Sequence, residues 1–141
     1  MPAKLDVKLG QARTARPGND LTLVTWSKPV HAALEAAEQA AQKGISVEVI
    51  DLRSIWPWDR DAVLASAART GRLLVAHESV QAAGFGAEIA ATAAEELGIA
   101  VKRVGAPRVP VGYARTLEDV ARISSEALTR EIELFVNRGR R

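Results

Sequence analysis

Short β-branched runs alternate along this chain with longer stretches that carry apolar residues at helical spacing. Leu21-Thr22-Leu23-Val24-Thr25-Trp26 is rich in β-branched and aromatic side chains and predicts a strand. His31 to Gln42 follows with strong helix formers, Ala33, Ala36, Ala37 and Ala40 recurring on one face, and Gly44 ends the helix. Ile45 to Leu52 predicts a second strand, stopped by Pro57. Asp59 can cap the next helix and Asp61 opposes its dipole; that helix runs to about Arg69, with Thr70-Gly71 as the stop. Leu73-Leu74-Val75-Ala76 is apolar without interruption, the mark of a strand covered on both faces. A helix from about Gly84 to Leu97, closed by Gly98, leads to a strand over Ile99 to Val104. The Gly/Pro-rich loop Gly105 to Gly112 then precedes a last helix from Leu117 to Val136.

The order βαβαβαβα predicts an α/β fold, a three-layer sandwich. Right-handed crossovers place the strands in one largely parallel sheet with helices on both faces. Residues 1–20 read as a polar lead-in ending in the turn Arg16-Pro17-Gly18-Asn19-Asp20, residues 21–136 as the domain, and residues 137–141 as a basic tail.

Composition narrows the classes without naming one. At 141 residues the chain is long enough for one domain that buries roughly two-thirds of its unfolded surface. Its formal net charge of +2 directs it to neither nucleic acid nor an anionic membrane, and Arg138, Arg140 and Arg141 hold part of the excess. The absence of cysteine excludes disulfides, thiolate metal sites and a thiol nucleophile. No apolar run approaches the ~20 residues of a membrane span, and the first residues lack a signal-peptide core. A bacterial cytoplasm or a mitochondrial matrix is the expected compartment.

Ligands of parallel sheets usually bind at the carboxyl ends of the strands. Those ends are Trp26-Ser27-Lys28, Arg53-Ser54, His77-Glu78-Ser79 and Gly105-Ala106. His77-Glu78-Ser79 sets an imidazole, a carboxylate and a hydroxyl side by side. A hydrolytic triad needs them within hydrogen-bond reach, and the Gly-x-Ser-x-Gly elbow is absent. A buried His77–Glu78 pair fixing an interface is the favoured reading. Gly84-Phe85-Gly86 opens a helix after a strand, as a phosphate cradle would, but Ile89 stands where the dinucleotide fingerprint needs its third glycine. The alternative is that these glycines let the helix approach another backbone closely, as its alanines Ala87, Ala90, Ala91 and Ala94 would also allow. Trp56-Pro57-Trp58 can anchor a partner or pack in the core. The only histidines, His31 and His77, lack metal-ligand spacing. The residues by themselves define an α/β domain with no catalytic, cofactor or metal set.

Leu21 to Ala37, Asp51 to Asp59, Thr70 to Glu78 and Gly84 to Ile89, in that order and spacing, resemble the transketolase C-terminal domain family. Arg103-Val104-Gly105-Ala106-Pro107 narrows the likeness to the beta subunit of pyruvate and branched-chain 2-oxoacid dehydrogenases, over about Lys8 to Val136. The resemblance implies a subunit-interface domain. Thiamine diphosphate, magnesium and the catalytic groups belong to other domains, so the chain by itself binds no cofactor and is not catalytic. Its implied partners are another beta subunit, the alpha subunit of an α2β2 heterotetramer and the acyltransferase subunit-binding domain. Interface candidates are His77, Glu78, Gly84, Phe85, Gly86, Trp56 and Arg108. Two departures stand out. Arg108 occupies a position where relatives commonly carry Asp, reversing the charge offered to a basic acyltransferase domain; docking is weakened, or the partner is acidic or binds elsewhere. Ala83 replaces a frequent glycine. The competing readings are a small hydrolase or nucleotide-binding protein using His77, Glu78 and Ser79, and a stand-alone interaction module.

Overall fold

A computed structural model of the chain describes residues 7–110, 112–114, 118–119 and 122–138. Its strands are β1 (Arg13–Arg16), β2 (Leu21–Thr25), β3 (Val47–Asp51), β4 (Arg72–Val80) and β5 (Ala100–Ala106). Its helices are α1 (Pro29–Ala41), α2 (Arg60–Thr70), α3 (Gly86–Leu97) and α4 (Ser125–Arg138). One five-stranded sheet runs in the order β1-β3-β2-β4-β5, parallel except for β1, which pairs antiparallel with β3.

The sandwich follows from how the chain crosses the sheet. It steps from β2 to β3 in one direction, then returns over β2 to β4 and continues to β5. Crossovers of one hand that run in opposite directions place their helices on opposite faces. Accordingly, Ala33, Ala36, Ala37 and Ala40 of α1 pack with Leu128, Ile132 and Val136 of α4 over Leu21, Leu23, Val49 and Leu74. On the other face Val63 and Ala67 of α2 and Ile89 and Ala93 of α3 cover Val24, Ile50, Leu73 and Val75. Thr22 points to the α2 side, where its hydroxyl bonds Ser66 at 2.6 Å and Thr70 at 2.8 Å, so the buried polar group is satisfied.

Two features differ from the sequence reading. Residues 13–16, inside the stretch taken as a lead-in, form the edge strand β1. Its Arg-Thr-Ala-Arg sequence lacks the apolar alternation of a half-buried strand, and charged side chains suit an unpaired edge. Arg16 Nη1 donates to Val47 O at 2.9 Å and holds β1 in place. The last helix, expected as one run from Leu117, is interrupted: Glu118 and Asp119 are helical, Arg122–Ser124 are not, and α4 starts at Ser125, where Ser124 Oγ accepts from Ala127 N at 3.1 Å. Leu117 itself, Arg140 and Arg141 lie outside the described residues. Among the described residues no helix is long and apolar enough to cross a membrane.

Candidate functional site

The reversal in strand direction puts the topological switch point between β2 and β4, where doubly wound folds open a ligand crevice. Here that crevice is filled from within. Trp26, just past β2, stacks on His77 of β4 with ring centroids 5.3 Å apart and planes 19° from parallel. Phe85 meets Trp26 edge-on at 6.2 Å and Trp58 edge-on at 6.4 Å. His77 is 0% exposed.

Gly84 and Gly86 make room for this imidazole. A Cβ on Gly86 would lie 2.5 Å from His77 Nε2, and one on Gly84 would lie 2.6 Å from Cε1. What approaches the start of α3 is thus a ring from β4 rather than only another backbone, and the space a bound phosphate would need is already taken. Alternation along β4 separates the expected His77–Glu78 pair: His77 faces inward, Glu78 is exposed and lines a 290 Å³ hollow with Lys28, Glu35 and Arg122.

Ser79, two residues on, does reach His77, its Oγ 2.8 Å from Nδ1. Two of the three triad candidates therefore meet, and exposed Glu78 is not with them. No described residue orients the ring through Nε2, which is buried without a partner. Burial lowers the imidazole pKa below its ordinary 6.5, and the Arg103 charge adds to this, against a hydrogen bond that Nδ1 donates to the Ser79 carbonyl oxygen, which raises it. Among the described residues no group of three or more His, Asp or Glu converges to hold a metal ion.

The remaining candidates scatter. Trp56 is 77% exposed, and Arg108 is exposed beside the end of β5. Sequence reasoning named Trp26 at a strand carboxyl end and Arg103 in a family motif but gave neither a role, because what each side chain meets is decided by other strands. The same edge holds the described non-glycine residues with left-handed backbones, Ser27 (φ 60°), Arg53 (φ 61°) and Ala83 (φ 60°). Each such conformation costs an L residue roughly 1–2 kcal/mol. At Ala83 this explains why a glycine suits the position.

These observations define a doubly wound α/β domain whose ligand crevice is closed by its own aromatic side chains. The chain belongs to the transketolase C-terminal domain family, which matches residues 10–128. It is 44% identical over 126 residues to the mitochondrial pyruvate dehydrogenase E1 component subunit beta-1 of Arabidopsis thaliana, covering 86% of this chain and 35% of that protein. It is 35% identical over 135 residues to the 2-oxoisovalerate dehydrogenase subunit beta of Bacillus subtilis (strain 168), covering 90% of this chain and 41% of the relative. The chain thus spans little more than a third of the length of these relatives. A split-gene transketolase, described as an inactive beta4 tetramer, superposes with a TM-score of 0.84 at 26% identity, over 95% of this chain and 44% of that one.

Proposed function

We propose that this chain is the assembly domain of a 2-oxoacid dehydrogenase beta subunit, joining one beta subunit to another and supplying no catalytic group. The observation that carries this reading is the division of α3 into two faces. Gly86, Ile89 and Ala93 are buried against the sheet, while Ala87 and Ala90 are half-buried and Ala91 and Ala94 exposed on the outer side. A stripe of small residues, flanked by exposed Glu88 and Glu95, lets a second helix approach closely. The buried His77 and Gly86 and the half-buried Gly84 serve such an interface by fixing where α3 begins, and exposed Trp56 is available for direct contact. The inactive beta4 assembly of the split-gene transketolase supports self-association without turnover.

In this reading thiamine diphosphate, magnesium and the 2-oxoacid are handled by other domains and by an alpha subunit, and the compartment is the bacterial cytoplasm or the mitochondrial matrix. A basic acyltransferase domain meets like charge at Arg108, which disfavours docking through that loop. Sedimentation across a wide micromolar range tests the assembly. The mass is expected to rise with concentration, and Ala94→Arg is expected to return the chain to a monomer with its melting temperature unchanged. A wild-type chain that stays strictly monomeric at high micromolar concentration would sink the proposal.

A further inference from the structure

The switch point is closed, but a second cleft on the same edge of the sheet is open. It lies between the outgoing ends of β4 and β5, has a volume of about 460 Å³, and is lined by Val80–Ala82, Arg103 and Gly105–Arg108. Its walls are tied together. Gln81 N donates to Ala106 O at 3.0 Å, and Arg103 Nη1 donates to Gln81 O at 3.0 Å. Gly105 permits this closeness, since a Cβ there would fall 2.8 Å from Gln81 Cα. The frame is built before any ligand arrives, and one guanidinium is already anchored in it.

Its charge is all of one sign. Arg103 and Arg108 both line the cleft, and no acidic residue does. Among the described residues neither arginine forms an ion pair, nor do Arg53, Arg72, Arg130 and Arg138, but Arg103 and Arg108 share this cleft. Two guanidinium groups around one hollow without a counter-charge call for an anion. A phosphate monoester carries about −1.5 to −2 at neutral pH, which balances them, and the guanidinium fork matches phosphate geometry. The volume falls within the roughly 300–1,000 Å³ of small-molecule sites and exceeds what a bare phosphate ion fills. Val80, Ala82 and Pro107 offer apolar surface for the rest of such a molecule.

We propose that this cleft binds an organic phosphate, its phosphoryl group held between Arg103 and Arg108. The site is separate from the outer face of α3 and does not depend on the assembly reading. The isotope-labelled 141-residue chain, titrated with inorganic phosphate, glucose 6-phosphate and a hexaglutamate peptide, provides the test. Saturable amide shifts confined to Gln81 and residues 103–108 are expected, with the sugar phosphate binding at least as tightly as the bare ion. Because Arg108 is exposed, Arg108→Asp keeps the fold and is expected to weaken phosphate binding about ten- to hundredfold; Arg103→Gln is expected to do likewise. Absent or unsaturable shifts, shifts spread over the surface, or affinity unchanged in Arg108→Asp would each overturn the proposal. So would tighter binding of the bare ion than of the sugar phosphate. A peptide that binds more tightly than either phosphate overturns it too, and assigns the cleft to an acidic protein segment.

Discussion

A methyl group added at Gly86 would have to share space with His77 Nε2, 2.5 Å away, and with Val75 Cγ1 at 3.2 Å. Neither can give easily, because His77 is sandwiched against Trp26 and Val75 lies in the core. Gly86→Ala is therefore expected to lower stability by about 1–3 kcal/mol, the usual range for overpacking. In a His77→Ala background the same change should cost clearly less, and a denaturant double-mutant cycle measures that coupling. Equal costs in both backgrounds would mean that the ring is not what Gly86 accommodates. The same imidazole makes stability depend on pH. Burial favours its neutral form in the folded chain, while the unfolded chain takes up a proton near the ordinary pKa of 6.5. Below that pH the unfolded state binds more protons, so stability falls as pH drops. Melting temperatures at pH 7.5 and 5.5 should differ, the lower pH being the less stable, and His77→Gln should reduce the difference. A His77→Gln chain with an undiminished pH response would contradict this account.

At the scale of elements, helix α2 shows a local signal doing a long-range task. Asp59 Oδ1 accepts from Ala62 N at 3.1 Å, the capping bond its position predicts. Its Oδ2 accepts from Ala12 N at 2.8 Å, which ties the approach to β1 to the start of α2. Asp59→Ala is expected to cost about 2 kcal/mol by removing a cap and a second amide partner together. Hydrogen exchange should speed up both in the first turn of α2 and around Ala12; loss confined to α2 would show that the second bond carries no weight. The cap was legible because capping is local, and so were the helix stops Gly71 (φ 70°) and Gly98 (φ 60°). β1 was not, because its pairing with β3 joins residues far apart in sequence and its own side chains carry no core pattern. The start of α4 was missed for the opposite reason. Helical residues at Glu118 and Asp119 imitate the start of one continuous helix, whereas Ser124 caps a fresh start and Thr129 Oγ1 holds α4 on α1 by donating to Gln39 Oε1 at 2.8 Å.

For the whole molecule, the α/β alternation and the apolar strands β2 and β4 determine a parallel sheet covered on both faces. That much the sequence settles by itself, since hydrophobic period and helix ends depend on neighbours along the chain. The ordered motifs likewise carry the family. Which residues meet at the switch point is a different matter. His77, Glu78 and Ser79 stand together in sequence, yet the strand pleat turns Glu78 away and brings Ser79 back to the imidazole. Trp26 and Gly86, distant along the chain, become the residues that close over His77. Arg103 and Arg108 share a cleft only because β5 lies beside β4 and Gly105 lets Gln81 come near. Local pattern determined the elements and their order. The tertiary structure alone decided the closed crevice and the open basic cleft, because both depend on segments that follow different strands meeting at the carboxyl edge of the sheet.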